Sequence, residues 1–310
     1  MRIVIFGGGG FLGSHLSEKL LDEQNDVIIF DLPSANYLDY SAKLGAEIIT
    51  GNFLDVYNVR KAIVNSDIVY YLISTTVPKN SNNDPQYDIQ TNVIGFLNLL
   101  DEVRNMNTIR KIIFPSSGGT VYGIPEKVPI KEDHPTNPIC SYGIHKLAIE
   151  KYLYLYWILN NLDYCILRIG NAYGERQPTD GTQGVIGAFL RKTIHNEEIL
   201  IFGDGSNIRD FVYVGDIADA LKNAIHYQGT PKIFNIGSGK GHNLNEIAEI
   251  ITRITEKPSK IKYTANRSFD VPNNVLDISR ARNFLEWKPK VDIFEGIKRS
   301  YVSMMKQNKH

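Results

Sequence analysis

The feature that most constrains this chain is a glycine-rich loop near its start, placed between an apolar segment and a helical pattern. Ile3–Phe6 is apolar throughout, as is typical of a buried strand, and Gly7–Gly13 then contains the spacing G-x-G-x-x-G. A stripe at helical spacing follows, formed by Leu12, Leu16 and Leu20. Val27–Phe30 is a second apolar run, and it ends on Asp31. Strand, glycine loop, helix, strand and acid, in this order, indicate a dinucleotide-binding βαβ unit.

This unit predicts NAD as the cofactor. Without side chains, the loop lets a pyrophosphate approach backbone N–H groups at the positive end of the helix. The loop residues expected to contact the cofactor are Gly7, Gly10, Phe11, Leu12 and Gly13. Asp31 would accept hydrogen bonds from the adenosine ribose. Since no Lys or Arg lies between Asp31 and Lys43, a 2′-phosphate would meet repulsion, and NADP is disfavoured.

Alternation of apolar strands and helical patterns predicts the fold class. Four further strands are expected, at Ile48–Ile49, Ile68–Leu72, Ile112–Phe114 and Tyr164–Leu167. The expected fold is α/β, a Rossmann doubly wound parallel sheet with a smaller α/β C-terminal substrate lobe. We predict an NAD-binding domain at residues 1–168, rejoined by the chain at about 210–230, and a substrate lobe at 169–310.

A tyrosine and a lysine four residues apart form the candidate catalytic pair. Tyr142 and Lys146 would share one face of a helix for which Ser141 is the predicted N-cap. A phenol with a pKa of about 10 is a poor acid–base group at neutral pH, and a neighbouring ammonium lowers that pKa. Such a pair can move a proton on and off a sugar hydroxyl. His145 points elsewhere on the helix and is expected to be structural or solvent-facing.

Several ordered motifs, spread over most of the chain, are similar to those of the extended short-chain dehydrogenase/reductase family. Besides the glycine loop and the Tyr–Lys pair, they are residues 92–95, 116–123, 167–177, 203–211, 234–239 and 267–272. The resemblance is to the branch of nucleotide-sugar epimerases, dehydratases and ketoreductases. It therefore implies a nucleotide-diphosphate sugar as the substrate.

The resemblance also implies roles for individual residues. Around the cofactor, Asn52 and Phe53 would flank adenine, Asn92 would lie along the cleft, and Lys146 would also hold the nicotinamide ribose. Most members carry Asp at the position of Asn52. On the substrate, the diphosphate would be bound by Asn171, Arg209 and Arg267, and the nucleotide ribose by Asp270. Two guanidiniums can neutralise a diphosphate in a chain of zero net charge.

One position departs from the family pattern. The Ser or Thr that completes the family's catalytic triad falls on Gly118, which has no hydroxyl. Thr120 would project to the same side if the extended geometry persists, and we favour it as the third group. Ser117 is the other candidate, although strand alternation would aim it away. The alternative is that Thr120 packs and water fills the role.

The family's reactions separate at these positions. A 4,6-dehydratase is disfavoured, because Gly119 and Thr120 replace its usual Asp–Glu pair. The leading prediction is a UDP- or dTDP-sugar 4-epimerase, and the alternative is a dTDP-4-keto-6-deoxyhexose reductase. A remote alternative is a non-catalytic dinucleotide-binding protein. Some members close the sugar pocket with an aromatic residue at the position of Asn274, whose smaller side chain suggests room for N-acetylated hexoses.

Composition and charge restrict location and partners. Lys+Arg and Asp+Glu number 34 each, which argues against binding of nucleic acid or a membrane surface. Two cysteines allow no disulfide framework and no zinc cluster, so we expect no metal site. The chain opens directly on a strand, so we expect no signal peptide and a cytoplasmic location. Residues 152–159 are apolar around much of the helix, and the resemblance implies a homodimer in which this helix and the one after Asn92 pair with their copies.

Overall fold

A computed structural model describes residues 1–106, 108–179, 184–265 and 271–307. The strands, in chain order, are β1 (Arg2–Phe6), β2 (Asp26–Asp31), β3 (Glu47–Thr50), β4 (Ile68–Tyr71), β5 (Lys111–Ser117), β6 (Asp163–Ile169), β7 (Asn171–Tyr173), β8 (Glu198–Phe202), β9 (Ile208–Tyr213), β10 (Ile233–Ile236), β11 (Gly241–Asn243), β12 (Lys260–Thr264) and β13 (Asn273–Asn274). Seven of them form one parallel sheet in the order β10-β6-β5-β4-β1-β2-β3.

The α-helices, in chain order, are α1 (Phe11–Asp22), α2 (Leu38–Lys43), α3 (Val56–Ile63), α4 (Pro85–Asp88), α5 (Gly95–Asn105), α6 (Ser141–Asn160), α7 (Val185–Ile194), α8 (Val214–Asn223), α9 (Leu244–Thr255), α10 (Ser279–Phe284) and α11 (Ile293–Gln307). A 3-10 turn (Ser81–Asn83) precedes α4, and a π-helical segment (Ile89–Ile94) joins α4 to α5.

The large sheet is covered on both faces, so its strands are apolar nearly throughout. Successive residues of β1 point to opposite cores. Ile3 and Ile5 pack with α1 and α8, whereas Val4 and Phe6 pack with α3, α5 and α6. The sheet therefore has a helical layer on each side, and the predicted doubly wound α/β fold is confirmed.

A smaller lobe is built around β9. This strand pairs in parallel with β7 and β13 and antiparallel with β11, while β8 and β12 form a separate two-stranded sheet. Helices α7, α9 and α11 contribute to a third apolar core there. The chain leaves the large sheet after β6, packs α8 against α1, and re-enters the sheet at β10. The division at residue 168 stays a prediction.

The predicted positions of the strands are confirmed, but the predicted N-cap of α6 is wrong. All six N-terminal strands occur where the apolar runs placed them. Ser141 is the first residue of α6 rather than its N-cap, a position held by Cys140 in an extended conformation. The Ser141 hydroxyl instead donates to Asp88 Oδ2 at 2.6 Å. Among the described residues, no helix has the length and apolarity of a membrane span.

We predict that Gly13→Ala destabilises the protein by roughly 1–3 kcal/mol, because overpacking against atoms that cannot move is costly. A Cβ at Gly13 would lie 2.5 Å from Gly8 Cα, which is backbone. Gly187 of α7 is the matched control, since among the described residues its Cβ would meet ordinary contacts at 3.5 Å or more. Gly187→Ala should be neutral or slightly stabilising. Denaturant unfolding measures both, and equal effects would contradict the packing argument.

Candidate active site

The glycine loop forms a cradle at the carboxyl end of β1. Gly7 has a φ of 81° and donates its N–H to Phe30 O. A Cβ at Gly8 would come within 2.8 Å of the Ile29 side chain, and α1 packs directly on the loop at Gly13. At Gly10, by contrast, a Cβ would approach only Gly7 O, at 3.3 Å. The loop is thus packed tightly from behind and open at the start of α1, which fits a dinucleotide pyrophosphate.

Asp31 completes this cradle from the end of β2. Its Oδ2 accepts the Gly9 N–H at 2.9 Å, and its Oδ1 accepts the Leu32 N–H at 2.8 Å. Burial raises the pKa of this carboxyl. A carboxylate has about four lone-pair sites, so two remain for ribose hydroxyls. These contacts fit NAD. They also place the carboxylate of Asp31, at the end of β2, directly against the glycine loop.

Asn52 and Phe53 lie after β3. Asn52 Oδ1 accepts the Leu54 N–H at 3.0 Å and so shapes the turn into α3. Phe53 is buried, and a Cβ at Gly95 would lie within 2.5 Å of its ring. The adenine contacts implied for this pair stay a prediction.

The side chain of Asn92 forms hydrogen bonds that hold the loop after β4 in place. Its Oδ1 accepts the Thr75 N–H at 3.0 Å, and its Nδ2 donates to Thr75 Oγ1 and to the Asp88 carbonyl. The start of that loop approaches the glycine loop, since a Cβ at Gly7 would lie 3.0 Å from Ile73 N. Asn92 therefore shapes the cleft wall, and direct contact with the cofactor stays a prediction.

Tyr142 and Lys146 lie on one face of α6, beside the end of β5. Lys146 Nζ is 5.5 Å from the centre of the Tyr142 ring and 4.8 Å from that of Phe114. The ammonium donates to Pro115 O at 3.3 Å. Because Pro115 belongs to β5, this bond fixes the lysine at the same sheet edge as the glycine loop.

The pKa of Tyr142 lies above its ordinary value, opposite to the net direction expected from the neighbouring Lys146. Burial raises the pKa of Tyr142, and Cys140 and Asp88 act in the same direction. Burial also lowers the pKa of Lys146 to about 8, although Asp88 and Glu150 oppose this change. Desolvation is the largest cause of both shifts, as is common for buried groups.

The segment after β5 is a tight turn, so the extended geometry assumed for Thr120 does not persist. The N–H groups of Thr120 and Val121 both donate to Ser117 O. Thr120 nevertheless packs against the first turn of α6, since a Cβ at Gly143 would lie 3.2 Å from Thr120 Cβ. Its Oγ1 is buried and has no hydrogen-bond partner among the described residues. This unpartnered hydroxyl supports Thr120 as the third group, which stays a prediction.

Ser117 points toward the substrate lobe. Its Oγ and Asn171 Oδ1 lie 3.9 and 3.7 Å from the position that a Cβ of Gly119 would occupy. The preceding Ser116 takes the opposite direction and donates to Glu150 Oε1 at 2.5 Å. Ser117 thus faces the same region as Asn171.

Gly118 is a glycine for a packing reason. A Cβ there would lie 2.7 Å from the Leu276 side chain and 3.0 Å from Arg168 O. The carbonyl of Gly118 accepts a hydrogen bond from Asn274 Nδ2 at 3.1 Å. A side chain at this position would therefore have to displace Leu276 and would lie tightly against the backbone of β6 at Arg168.

Two of the three predicted diphosphate contacts, Asn171 and Arg209, lie on adjoining strands of the smaller lobe. Asn171 in β7 is opposite Phe211 of β9, and Arg209 of β9 is opposite Asn274 of β13. Arg209 Nη1 donates to Ile208 O and Val271 O, which orients the guanidinium. Arg267 and Asp270 lie outside the described residues, so their roles stay predictions.

Sequence reasoning missed the buried polar groups behind the site. His145 is buried, which agrees with the structural alternative expected for it, and its Nδ1 hydrogen-bonds Asp88, a partner that the sequence did not indicate. Glu150 and Arg168 form a buried ion pair with a closest approach of 2.6 Å. A charged residue four positions after Lys146, inside an apolar helix, was the available signal for Glu150. Asp88 gave none, because its partner lies 57 residues away.

Comparison with known proteins agrees with this geometry. The NAD dependent epimerase/dehydratase family matches residues 3–237. A putative UDP-glucose 4-epimerase of Methanocaldococcus jannaschii is 40% identical over 308 residues, 99% of either chain. A dTDP-4-dehydro-6-deoxyglucose reductase of Escherichia coli is 32% identical over 95% of either chain. The crystal structure of UDP-glucose 4-epimerase with UDP-glucose from Thermotoga maritima has a TM-score of 0.94 and 33% identity, covering 99% of this chain and 100% of that one.

We predict that Thr120→Val lowers kcat by about 100-fold or more, the usual contribution of a group in proton transfer. Valine keeps the shape and removes the unpartnered hydroxyl. Ser117→Ala is the comparison variant and should retain most of the turnover. Steady-state kinetics on the nucleotide-sugar substrate measures both. If Thr120→Val is unimpaired and Ser117→Ala is not, the role belongs to Ser117. If neither variant is impaired, water fills it.

Proposed function

This chain belongs to the NAD dependent epimerase/dehydratase family, and we propose that it inverts C4 of a UDP-activated hexose. The observation that carries the proposal is the position of Tyr142 and Lys146 at the sheet edge that holds the glycine loop. The family match and the relatives establish an NAD-dependent enzyme acting on a nucleotide sugar. The choice of C4 and of UDP is our inference from the site and from what those relatives act on.

The residues divide the work between two lobes. The glycine loop and Asp31 hold the dinucleotide, and Asn171 with Arg209 would hold the substrate diphosphate. A diphosphate anchored at one end leaves the hexose free to present either face to the same proton-transfer group. The glycine loop and Asp31 would hold NAD, which would supply a reversible hydride acceptor for C4. Such a cycle consumes no cofactor, which suits a reaction whose product is an epimer.

Tyr142 is the proposed acid–base group on the C4 hydroxyl. Because burial raises the pKa of Tyr142, its phenol is protonated at rest and a nearby positive charge is needed before it can accept a proton. Lys146, whose ammonium donates a hydrogen bond to Pro115 O, provides one such charge. We assign to Thr120 Oγ1 a hydrogen bond that orients the C4 oxygen of the sugar. These three groups supply proton transfer and orientation to the same atom of the substrate.

A ketoreductase is the second candidate. The observation in its favour is the similarity to the dTDP-4-dehydro-6-deoxyglucose reductase of Escherichia coli, which extends over nearly the whole chain. The same Tyr–Lys pair would serve it. The two candidates differ in whether reduced cofactor is consumed, which makes them easy to separate.

The test offers the purified enzyme UDP-glucose, UDP-N-acetylglucosamine and a dTDP-4-keto-6-deoxyhexose in separate reactions. We expect the C4 epimer of a UDP-sugar, read by NMR, without added NADH. Tyr142→Phe is the control and should lose turnover by at least about 100-fold. Consumption of NADH or NADPH in proportion to the keto sugar, with no epimer from either UDP-sugar, would make the enzyme a reductase.

We also propose that the chain forms a homodimer through the α5–α6 face. Apolar side chains of α6 are exposed along one side, at Ile144, Tyr154, Leu155, Ile158 and Leu159. Leu159 is 67% exposed and Ile158 57%. An apolar patch of this kind marks an interaction site, and pairing with a second copy would cover it.

We predict that Leu159→Glu shifts the protein toward monomer in sedimentation experiments, because a charge would be buried in the interface. Phe284→Glu is the matched control. Phe284 is also an exposed apolar residue, but it lies on α10, away from this face, so the dimer should persist. A wild-type monomer at working concentration would refute the dimer.

A further inference from the structure

A buried carboxylate, Asp88, lies against the first turn of α6 and has no role in the chemistry described so far. Its side chain is fully buried. Oδ1 accepts hydrogen bonds from Thr76 Oγ1, His145 Nδ1 at 2.9 Å and Asn92 Nδ2 at 3.1 Å, and Oδ2 accepts one from Ser141 Oγ at 2.6 Å. These partners belong to the loop after β4, the π-helical segment and α6. Asp88 therefore joins the three segments around Tyr142.

His145 connects Asp88 to the catalytic tyrosine. Its ring is 1% exposed and stands edge-on to the Tyr142 ring, with centroids 5.0 Å apart. Burial, with a smaller contribution from Lys146, lowers the pKa of His145 to about 4. The imidazole is therefore neutral near pH 7, and a carboxylate acceptor assigns the remaining proton to Nδ1. His145 orients Asp88 without neutralising it.

The charge of Asp88 acts on both members of the catalytic pair. Among the described residues, no Lys or Arg lies within ion-pair distance of Asp88. Its charge adds to the burial that raises the pKa of Tyr142, as does Cys140. Together with Glu150, it opposes the burial that lowers the pKa of Lys146. The ionisable groups near the pair are thus His145, Cys140, Glu150 and Asp88 itself.

We propose that Asp88, oriented by His145, is a positioning residue for the Tyr142–Lys146 pair, fixing the first turn of α6 and holding a buried negative charge beside both proton-carrying groups. The proposal rests on the proposed function, because it concerns the proton transfer assigned there to Tyr142. Its consequence is that the phenol and the ammonium both keep their protons at rest. The same hydrogen bonds hold the tyrosine ring in place while its proton moves.

The first test is Asp88→Asn in the NAD-loaded enzyme. Asparagine keeps the size and an accepting oxygen and removes the charge. Loss of a negative neighbour should lower the pKa of Tyr142 and of Lys146, so both limbs of the kcat–pH profile should move to lower pH by about half a unit or more. KM for the nucleotide sugar should change by less than about twofold, since the diphosphate contacts lie in the other lobe.

A purely structural role for Asp88 gives a different result. It would lower the melting temperature and kcat while leaving both limbs at their wild-type pH. That outcome would overturn the proposal.

The second test separates the hydrogen bond of His145 from its bulk. His145→Asn retains a donor near the Nδ1 position, whereas His145→Phe retains a ring against Tyr142 and has no donor. We expect kcat to fall by about tenfold in His145→Phe and to recover substantially in His145→Asn. Equal losses of kcat in both variants would overturn the proposal, because the hydrogen bond from His145 to Asp88 would then make no contribution.

A readout without turnover distinguishes this proposal from the proposed function. The ζ-carbon NMR signal of labelled tyrosine, assigned through Tyr142→Phe, reports the protonation of Tyr142 in the NAD-loaded enzyme. A lower midpoint in Asp88→Asn supports the proposal even if no UDP-hexose is epimerised. An unchanged midpoint overturns it even if epimerisation is confirmed.

Discussion

Parallel pairing within the large sheet is the constraint on which the rest of the site depends. Phe6, the last residue of β1, pairs with Phe30 of β2 and Tyr71 of β4, so the glycine loop, Asp31 and the loop after β4 emerge together. Ser117 and Ile169 end β5 and β6 in register. Carboxyl ends of parallel strands meet at one edge, and ligands of such folds bind there. The glycine loop and the turn at Ser117–Val121 are therefore neighbours because of the register between the strands that precede them.

Buried polar groups fix α6 against this edge. Glu150 accepts hydrogen bonds from Ser116 of β5 and from Arg168 of β6, which ties the helix to both strands. Removing one partner of a buried pair of this kind typically costs about 3–5 kcal/mol. Asp88 holds the first turns of the helix through Ser141 and His145. The helix that carries Tyr142 is therefore held at its N-terminal end by Asp88 and at its middle by Glu150, both of which are buried.

The smaller lobe is joined to this edge through β9. Asp210, fully buried, accepts hydrogen bonds from Ser238 and Gly239 after β10 and from the Leu276 N–H. Arg209, beside it, is thereby set on the strand that faces Asn171. Asp210 thus links the segment after β10 of the large sheet to the strand that carries Arg209, a predicted diphosphate contact.

Features that depend on neighbours along the chain could be predicted from the amino-acid sequence. Three such features are local patterns that can be recognised in the sequence. They are the apolar runs of β1 to β6, the glycine loop with Asp31, and the four-residue spacing of Tyr142 and Lys146. Tertiary structure alone decided the shape of the turn at Ser117–Val121, the steric exclusion of a side chain at Gly118, and the burial of His145. It also buries Tyr142, which raises the pKa of its phenol. The physical reason is that burial and long-range partners, such as Asp88 with His145, arise only when distant segments pack together, and no spacing along the chain encodes them.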